Sequence, residues 1–380
     1  MNDLAMMANY AGSATVRKVS RSQFNLSLDE IITFDALIRA LHNASCRRKF
    51  RSKVASYLDN AGGNLLNLQK RIYERTYQPR PCNTFEIFCT AGQKVRTISA
   101  PVFEDTIVQH LLYDAVYDTF DRSFIFDSYG CRRGKGTHKA ADRTQAFMRE
   151  ASEDSYYLQI DIRRYYYNIN HRILRESLSR RIADPEVLDL LMAFCGDNGG
   201  VGLNVGSLLS QLYGMVYLDR FDHWVKREFK IKHYIRFVDD CLFILPTREE
   251  AMRVKELCET YLRDELHLTL SKWRVHPISR GANFVGVRTW RHKRIIRRRS
   301  LHNFGRKLRQ RKLESIVSIL GHAKGTSSYS YLLNRCLDEL PVEDIRSLPK
   351  PIRAELSRIA LTTIPDMPDI PESVEADCGG

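Results

Sequence analysis

Apolar and polar positions recur along this chain with two different periods, and the changes of period mark out its elements. Up to about residue 68 the apolar spacing is helical. Ser27 precedes the run LDEIITFDALIRAL with Glu30 three positions on, which is the form of a capping box. A second helical stretch covers 64–73. Residues 84–88 and 94–98 read as short strands around Ala91-Gly92-Gln93, a hairpin whose second strand is stopped by Pro101. An amphipathic helix over 104–117 sets Val108, Leu111, Leu112 and Val116 on one side.

From residue 156 the period becomes that of a buried strand ending at Asp161. Helices over 173–181 and 185–195 follow, then a glycine-rich turn over 196–206 and a helical run over 210–229. Residues 234–244 read as strand, Asp-Asp, strand. A helix over 248–266 and a strand region over 275–287 come next. This order predicts an α+β fold with an antiparallel sheet carrying helices on one face. Positions 288–313 hold twelve Lys or Arg and no acid. Trp290, Ile295, Ile296, Leu301, Phe304 and Leu308 can pack this stretch onto the body as a basic helical segment that contacts phosphates. The last 17 residues are acidic and proline-containing, which predicts a disordered tail.

Composition narrows the class. A chain of 380 residues with 43% hydrophobic positions predicts two or three packed subdomains. A formal charge of +14 points to a polyanionic partner. The nine cysteines include no CxxC pair, so they read as reduced thiols with no zinc spacing. Neither a secretion-type N-terminus nor an 18-residue apolar run is present in the sequence, so a cytoplasmic protein with no membrane partner is expected.

The chemistry is carried by carboxylates at strand ends. Asp239 and Asp240 sit between two hydrophobic stretches in YIRFVDDCLFI, where their mutual repulsion calls for a divalent cation. Asp161 follows the strand-like run YYLQI. Phosphoryl transfer onto a 3′-hydroxyl uses two metal ions about 4 Å apart, bridged or flanked by carboxylates. Asp161 and Asp239 suit the bridging role if their strands are neighbours. Asp240 alternates to another direction and would orient or tune, and the Ile162 carbonyl would complete the sphere. Adjacent aspartates are common in surface turns; the hydrophobic flanks and the partner strand favour the catalytic alternative here.

Six blocks in order then resemble a reverse transcriptase of the prokaryotic type, over about residues 94–335. They are Arg96-Thr97-Ile98-Ser99-Ala100-Pro101; Tyr129-Gly130-Cys131-Arg132-Arg133-Gly134-Lys135-Gly136; Asp161 to Ile169; Phe237-Val238-Asp239-Asp240; Lys272 in LTLSKWRV; and Phe284-Val285-Gly286-Val287. The resemblance implies a right-hand polymerase fold, with an N-terminal helical extension over 1–75 and fingers over 76–155. The palm would cover 156–287, with part of the fingers inserted near 170–205. A basic helical thumb over 288–363 and the tail from 364 complete it. It implies Mg²⁺, two ions, with Mn²⁺ as a substitute in vitro. Asp161, Asp239 and Asp240 are the implied catalytic residues, and with Ile162 the metal ligands. Lys94, Arg96, Ile162, Tyr166, Val205, Gly206, Gln211 and Lys272 would bind the incoming dNTP. Tyr166 would lie under its sugar, with Tyr165 and Tyr167 as competitors for that place. Arg132, Lys135, Phe284, Gly286, Arg297, Arg298 and Arg299 would hold primer and template.

Val205-Gly206-Ser207-Leu208-Leu209-Ser210-Gln211 departs from the Q-G-x-x-x-S-P form of group II intron and retron enzymes at its first and last positions. The G-x-x-x-S-Q form is similar to the enzymes of diversity-generating retroelements, as is Ile319-Leu320-Gly321-His322-Ala323-Lys324 before Ser328-Tyr329. That resemblance implies error-prone cDNA synthesis with adenine-directed mutagenesis. Its implied partners are a structured template-repeat RNA, a primer–template duplex and a small basic accessory protein oligomer. The alternatives are a retron-like or phage-defence reverse transcriptase, and a non-catalytic RNA-binding protein with a polymerase fold.

Overall fold

The computed structural model describes residues 24–89, 94–196 and 199–363. The expected 91–93 turn and the acidic tail lie outside the described residues. The chain divides into two compact units. One comprises residues 1–126, 162–230 and 259–271, the other residues 127–161, 231–258 and 272–380.

In the first unit the Ser27 box forms: the Ser27 backbone N–H donates to Glu30 at 2.7 Å, and the Glu30 N–H donates to Ser27 Oγ at 3.3 Å. The helix it starts is short, Leu28–Ile31. Thr33 opens a new one, Phe34–Ser45, by accepting the Ala36 N–H, so the apolar run after Ser27 is two helices, not one. Strands β1 (Asn83–Cys89) and β2 (Lys94–Ala100) pair antiparallel with Ile87 opposite Arg96. The following helix, Phe103–Asp121, is buried on more than the predicted apolar side, because Asp105, Thr106 and Gln109 are buried with Val108 and Leu112. Asp105 is accommodated by hydrogen bonds from Tyr77 Oη (2.7 Å) and the Arg80 N–H (2.9 Å). The predicted 210–229 helix is broken into Leu208–Tyr217, Asp219–His223 and a π-turn, Trp224–Glu228. There the Trp224 ring packs 4.4 Å from both Phe229 and Tyr261, and this aromatic packing fixes the wider turn.

The second unit is built on a four-stranded sheet in the order β4-β5-β3-β6, from β3 (Tyr156–Ile162), β4 (Tyr234–Phe237), β5 (Asp240–Leu245) and β6 (Leu270–Pro277). A three-stranded sheet follows: β7 (Ala282–Phe284), β8 (Val287–Thr289) and β9 (Arg294–Ile296). The helix Thr137–Glu150, which periodicity did not announce, contributes Phe147 and Met148 to a core with Tyr157, Ile235, Leu242, Ile244 and Phe284. The basic stretch is corrected at its start. Residues 288–296 are strand and turn, with Val287 paired to Ile296, and the helix runs only over Arg298–Arg309. Val287, Thr289, Ile295 and Ile296 are β-branched residues that suit a pleated surface. Phe304 and Leu308 from that helix join Ile316, Leu320, Leu332 and Leu333 in a second core. The fold is α+β, a central antiparallel sheet flanked by helices, as the sequence leads one to expect. No helix among the described residues is long and apolar enough to cross a membrane.

Candidate active site

The catalytic candidates meet because β3 and β5 are neighbours. They run antiparallel with Asp161 directly opposite Asp240, so both side chains leave the same face of the sheet. The Asp-Asp pair is not a turn of two acids. Phe237 pairs with Asp240, leaving Val238 and Asp239 as a two-residue turn, with Asp240 already in strand. Val238 holds φ at +58°, an unfavourable conformation for a β-branched residue. Its surroundings enforce it. Fully buried Arg236 donates from Nη1 to the Val238 carbonyl at 2.8 Å. The 127–130 segment runs along β4, with the Tyr129 N–H donating to the Arg236 carbonyl and the Arg236 N–H donating to the Asp127 carbonyl. Gly130 lies so close that a Cβ there would stand 2.6 Å from the Val238 backbone nitrogen.

Asp240 is the electrostatically stressed member. Its carboxyl is pushed up to about 7, by burial first and then by the charges of Asp161 and Asp239, while a hydrogen bond from Gln159 and the Arg297 charge pull it down. Gln159 stands two residues before Asp161 on the same face of β3. Its Nε2 lies 2.9 Å and 3.2 Å from the two Asp240 oxygens and 3.0 Å from the Asn283 carbonyl. Desolvation lowers the Arg297 guanidinium from its ordinary range, and Asp240 raises it.

A cavity of about 480 Å³ opens on these groups, with Gln159, Asp161, Asp240 and Asn283 among its lining and Lys272, Arg274, Arg288, Arg297 and Arg298 as its cations. Lys272, Arg297 and Arg298 were anticipated from sequence; Gln159, Arg274, Asn283 and Arg288 were not. Gln159 was detectable as a polar residue in an otherwise apolar strand. Arg299 does not line the cavity. Phe284 is buried at the end of β7, and the Val285-Gly286 turn that follows has positive φ at both residues. Gly286 abuts His322, whose Nε2 would be 2.5 Å from a Cβ there. Arg132 donates to the Ser128 carbonyl, and the Lys135 ammonium sits 4.6 Å above the Tyr129 ring.

The remaining candidates belong to the first unit. Ile162 is buried. The three tyrosines separate by role. Tyr165 is buried with its hydroxyl donating to the Gly214 carbonyl, and Tyr167 is half-exposed with its hydroxyl directed at the Thr97 carbonyl. Tyr166 is partly exposed over Gly214, where a Cβ would come within 3.0 Å of its ring. Val205 accepts the Ser99 N–H at 2.8 Å, and Gly206, at φ +117°, fits against Ile98. Arg96 on β2 and Gln211 are exposed. Lys94 opens β2.

Among the described residues no group of three or more His, Cys, Asp or Glu is gathered closely enough to hold a metal ion. The donor chemistry nevertheless fits a hard divalent cation. The donors are carboxylate oxygens, and a cation there would offset the burial that chiefly raises Asp240 as well as the neighbouring charges of Asp161 and Asp239.

Carboxylates at adjoining strand ends of a helix-backed antiparallel sheet define the palm of a nucleic-acid polymerase. Residues 90–289 match the family described as reverse transcriptase (RNA-dependent DNA polymerase), more than half of the chain, and the chain belongs to that family. It is 24% identical over 278 residues to protein YkfC of Escherichia coli (strain K12), covering 61% of this chain and 71% of that one. It is also 24% identical over 233 residues to the group II intron-encoded protein LtrA of Lactococcus lactis subsp. cremoris, covering 56% of this chain but 38% of LtrA. Among solved structures, telomerase from Candida albicans aligns over 77% of this chain and 62% of its own, with 11% identity and a TM-score of 0.48; nothing further rests on that likeness.

Proposed function

We propose that this protein is an RNA-directed DNA polymerase that adds dNTPs to a primer 3′-hydroxyl. The observation that supports it most is the in-register Asp161–Asp240 pair, with Asp239 in the adjoining turn, at the mouth of a cation-lined cavity. Asp161, Asp239 and Asp240, with the Ile162 carbonyl, would hold two Mg²⁺ ions, or Mn²⁺ in vitro. When bound, these ions lower the pKa of the attacking hydroxyl and neutralise charge on the triphosphate. Lys272 supplies a cation for the leaving pyrophosphate. The Phe284–Gly286 turn with Arg297, Arg298 and Arg299 receives the primer, and Arg132 and Lys135 the template. Lys94, Arg96, Tyr166, Val205, Gly206 and Gln211 serve the incoming nucleotide. The fingers, palm and thumb boundaries given from sequence, and a cytoplasmic location, stand as part of the same proposal.

The test is dNTP incorporation on an RNA template with a DNA primer, comparing the protein with Asp161→Asn and Asp240→Asn. Loss of product in both variants supports the reading. RNA binding without product in any primer arrangement would replace it with a non-catalytic RNA-binding protein.

Within the family, relatives such as the group II intron-encoded protein weigh toward an enzyme of the group II intron and retron kind, including retron-like and phage-defence polymerases. Val205 and Gln211 are the specific observation behind the second reading, adenine-mutagenised cDNA from a template-repeat RNA with an accessory protein. The error spectrum decides. Errors clustered at template adenines, lost in Val205→Gln, favour the mutagenic element, and faithful cDNA or a branched RNA–DNA product favours the retron-like enzyme.

A further inference from the structure

The most unusual surface of the first unit lies outside the 90–289 family domain, between the helices Phe34–Ser45 and Ser52–Asp59. Its sequence, running into the first turn of the second helix, is Cys46-Arg47-Arg48-Lys49-Phe50-Arg51-Ser52-Lys53, and every one of these residues is exposed. The relative exposure of Phe50 is 102%, the value of a side chain with nothing packed against it. Its ring makes no aromatic contact among the described residues. None of Arg47, Arg48, Lys49, Arg51 and Lys53 forms an ion pair among them either. No acid occurs in the sequence between Asp35 and Asp59.

The segment is nonetheless ordered. The Cys46 N–H donates to the His42 carbonyl, the Arg48 N–H to the Ser45 carbonyl and the Arg51 N–H to the Arg48 carbonyl, at 3.1, 2.9 and 2.9 Å. Arg47 holds φ at +59°, which turns the chain sharply. The loop is therefore a pair of tight turns that projects one aromatic ring amid five uncompensated cations. A merely solvated loop would mix signs, and here five cations stand together with no acid among them.

We propose that this loop is a second RNA-binding element, which grips a single-stranded stretch of the template RNA outside the primer–template duplex. Its cations meet phosphates, and the Phe50 ring stacks on an unpaired base. Both halves of the requirement are on the loop: charge that tracks a backbone without reading sequence, and an exposed π-face that any base can cover. A protein partner would have to bring a matching cluster of acids to meet five like charges, whereas an RNA strand carries a phosphate at every nucleotide. The inference rests on the reading of the chain as an RNA-directed polymerase, which supplies the occupant.

The experiment measures binding of the full chain to an unstructured 30-nucleotide RNA by fluorescence anisotropy across a salt series. It compares wild type with Phe50→Ala, Phe50→Tyr and a variant with all five loop cations changed to Gln. Each is also assayed for primer extension on a short duplex with a minimal overhang and for sedimentation with phosphatidylserine vesicles. Phe50→Ala should weaken RNA binding roughly 5- to 150-fold, the range found for loss of one aromatic stack. Phe50→Tyr should restore it. The five-Gln variant should flatten the log Kd against log salt slope by up to about 3.5, since each single-strand phosphate contact contributes about 0.7. Extension on the short duplex and the melting temperature should not change. Unaltered affinity and slope in both Phe50→Ala and the five-Gln variant would overturn the proposal. So would wild-type vesicle binding that the loop variants lose while keeping their RNA affinity, since the surface would then serve anionic lipid. If wild type extends no primer while the loop variants still lose RNA affinity, the polymerase reading fails and the RNA-binding element stands.

Discussion

Gln159 offers the sharpest test of how the candidate carboxylates are held. Its Nε2 donates to both oxygens of Asp240 and to the Asn283 carbonyl, so one side chain fixes Asp240 against the strand that leads to the Val285-Gly286 turn. The Asp240 carboxyl stands at about 7 with that bond in place. A hydrogen bond to a charged group is worth about 1.5–3 kcal/mol, so Gln159→Leu should raise the carboxyl by about one to two pH units further. Protons then compete harder with the cation. At about pH 7.5 the apparent affinity for Mg²⁺ or Mn²⁺ should fall roughly 3- to 25-fold from this competition alone, and by about pH 9.5 that deficit should vanish. Calorimetric titration of the cation into both proteins at the two pH values reads this directly, and the same shift should appear as an upward move of the acid limb of primer extension. Gln159→Glu, which adds a negative charge beside Asp240, should shift the limb further. A Gln159→Leu deficit of equal size at both pH values would refute the reasoning, because it would mean that Gln159 only packs.

Three further outcomes follow from the same geometry. In the metal-free chain Asp240, whose carboxyl is raised from 3.8 to about 7, makes one contribution of definite sign, opposite to that of His110 and His276, which burial lowers. The folded state keeps a proton that the unfolded state loses, so stability held below about pH 4 is lost as the pH rises through about 7, by at most roughly 4 kcal/mol. Denaturant melts of the protein and of Asp240→Asn at pH 5 and 8 isolate it, since the pH-dependent loss should be absent from the variant, and added Mg²⁺ should recover stability of the wild type at the higher pH. Gly130→Ala places a Cβ 2.6 Å from the Val238 nitrogen, a backbone atom that cannot swing away, and should cost about 1–3 kcal/mol as overpacking together with most primer extension. Wild-type extension in that variant would show that the Val238-Asp239 turn tolerates displacement. Ser27→Ala removes the acceptor of the Glu30 N–H and should lower the unfolding free energy by about 1 kcal/mol without affecting extension.

Which parts of this protein were readable from sequence follows from how local their causes are. The Ser27 box, the helix Arg248–Leu266 and the strands around Asp240 depend on residues within a few positions, and periodicity and capping chemistry announce them. What periodicity could not supply were features decided by distant partners. The Phe103–Asp121 helix reads as one-sided because Asp105 and Gln109 are polar, yet Tyr77 and Arg80 satisfy the first, and Ser207 Oγ and the Leu208 N–H donate to the second. The stretch beginning at Arg288 reads as helix because its cations recur on every face. Pairing of Val287 with Ile296 overrides that, and the cavity is lined by Arg288 from β8 together with Arg297 and Arg298 at the start of the helix.

The candidate site shows the same division within the stretch from Tyr234 to Ile244. That Asp239 and Asp240 matter is legible from their hydrophobic flanks, but which of them faces Asp161 depends on where the turn falls. Had the two acids formed the turn themselves, Asp161 would have no carboxylate opposite it. Placing the turn one residue earlier moves Asp240 into β5 opposite Asp161, and forces Val238 into a conformation that β-branched residues avoid. Val238 has no turn chemistry of its own, so the strain must be held from outside, by the Arg236 guanidinium on the Val238 carbonyl and by the Gly130 backbone against Val238. The register of the candidate carboxylates is thus specified by a buried arginine and by a glycine more than 100 positions upstream of the turn. This is why a substitution at Gly130, which bears no side chain and touches no carboxylate, is expected to disturb the site as much as a change beside Asp240.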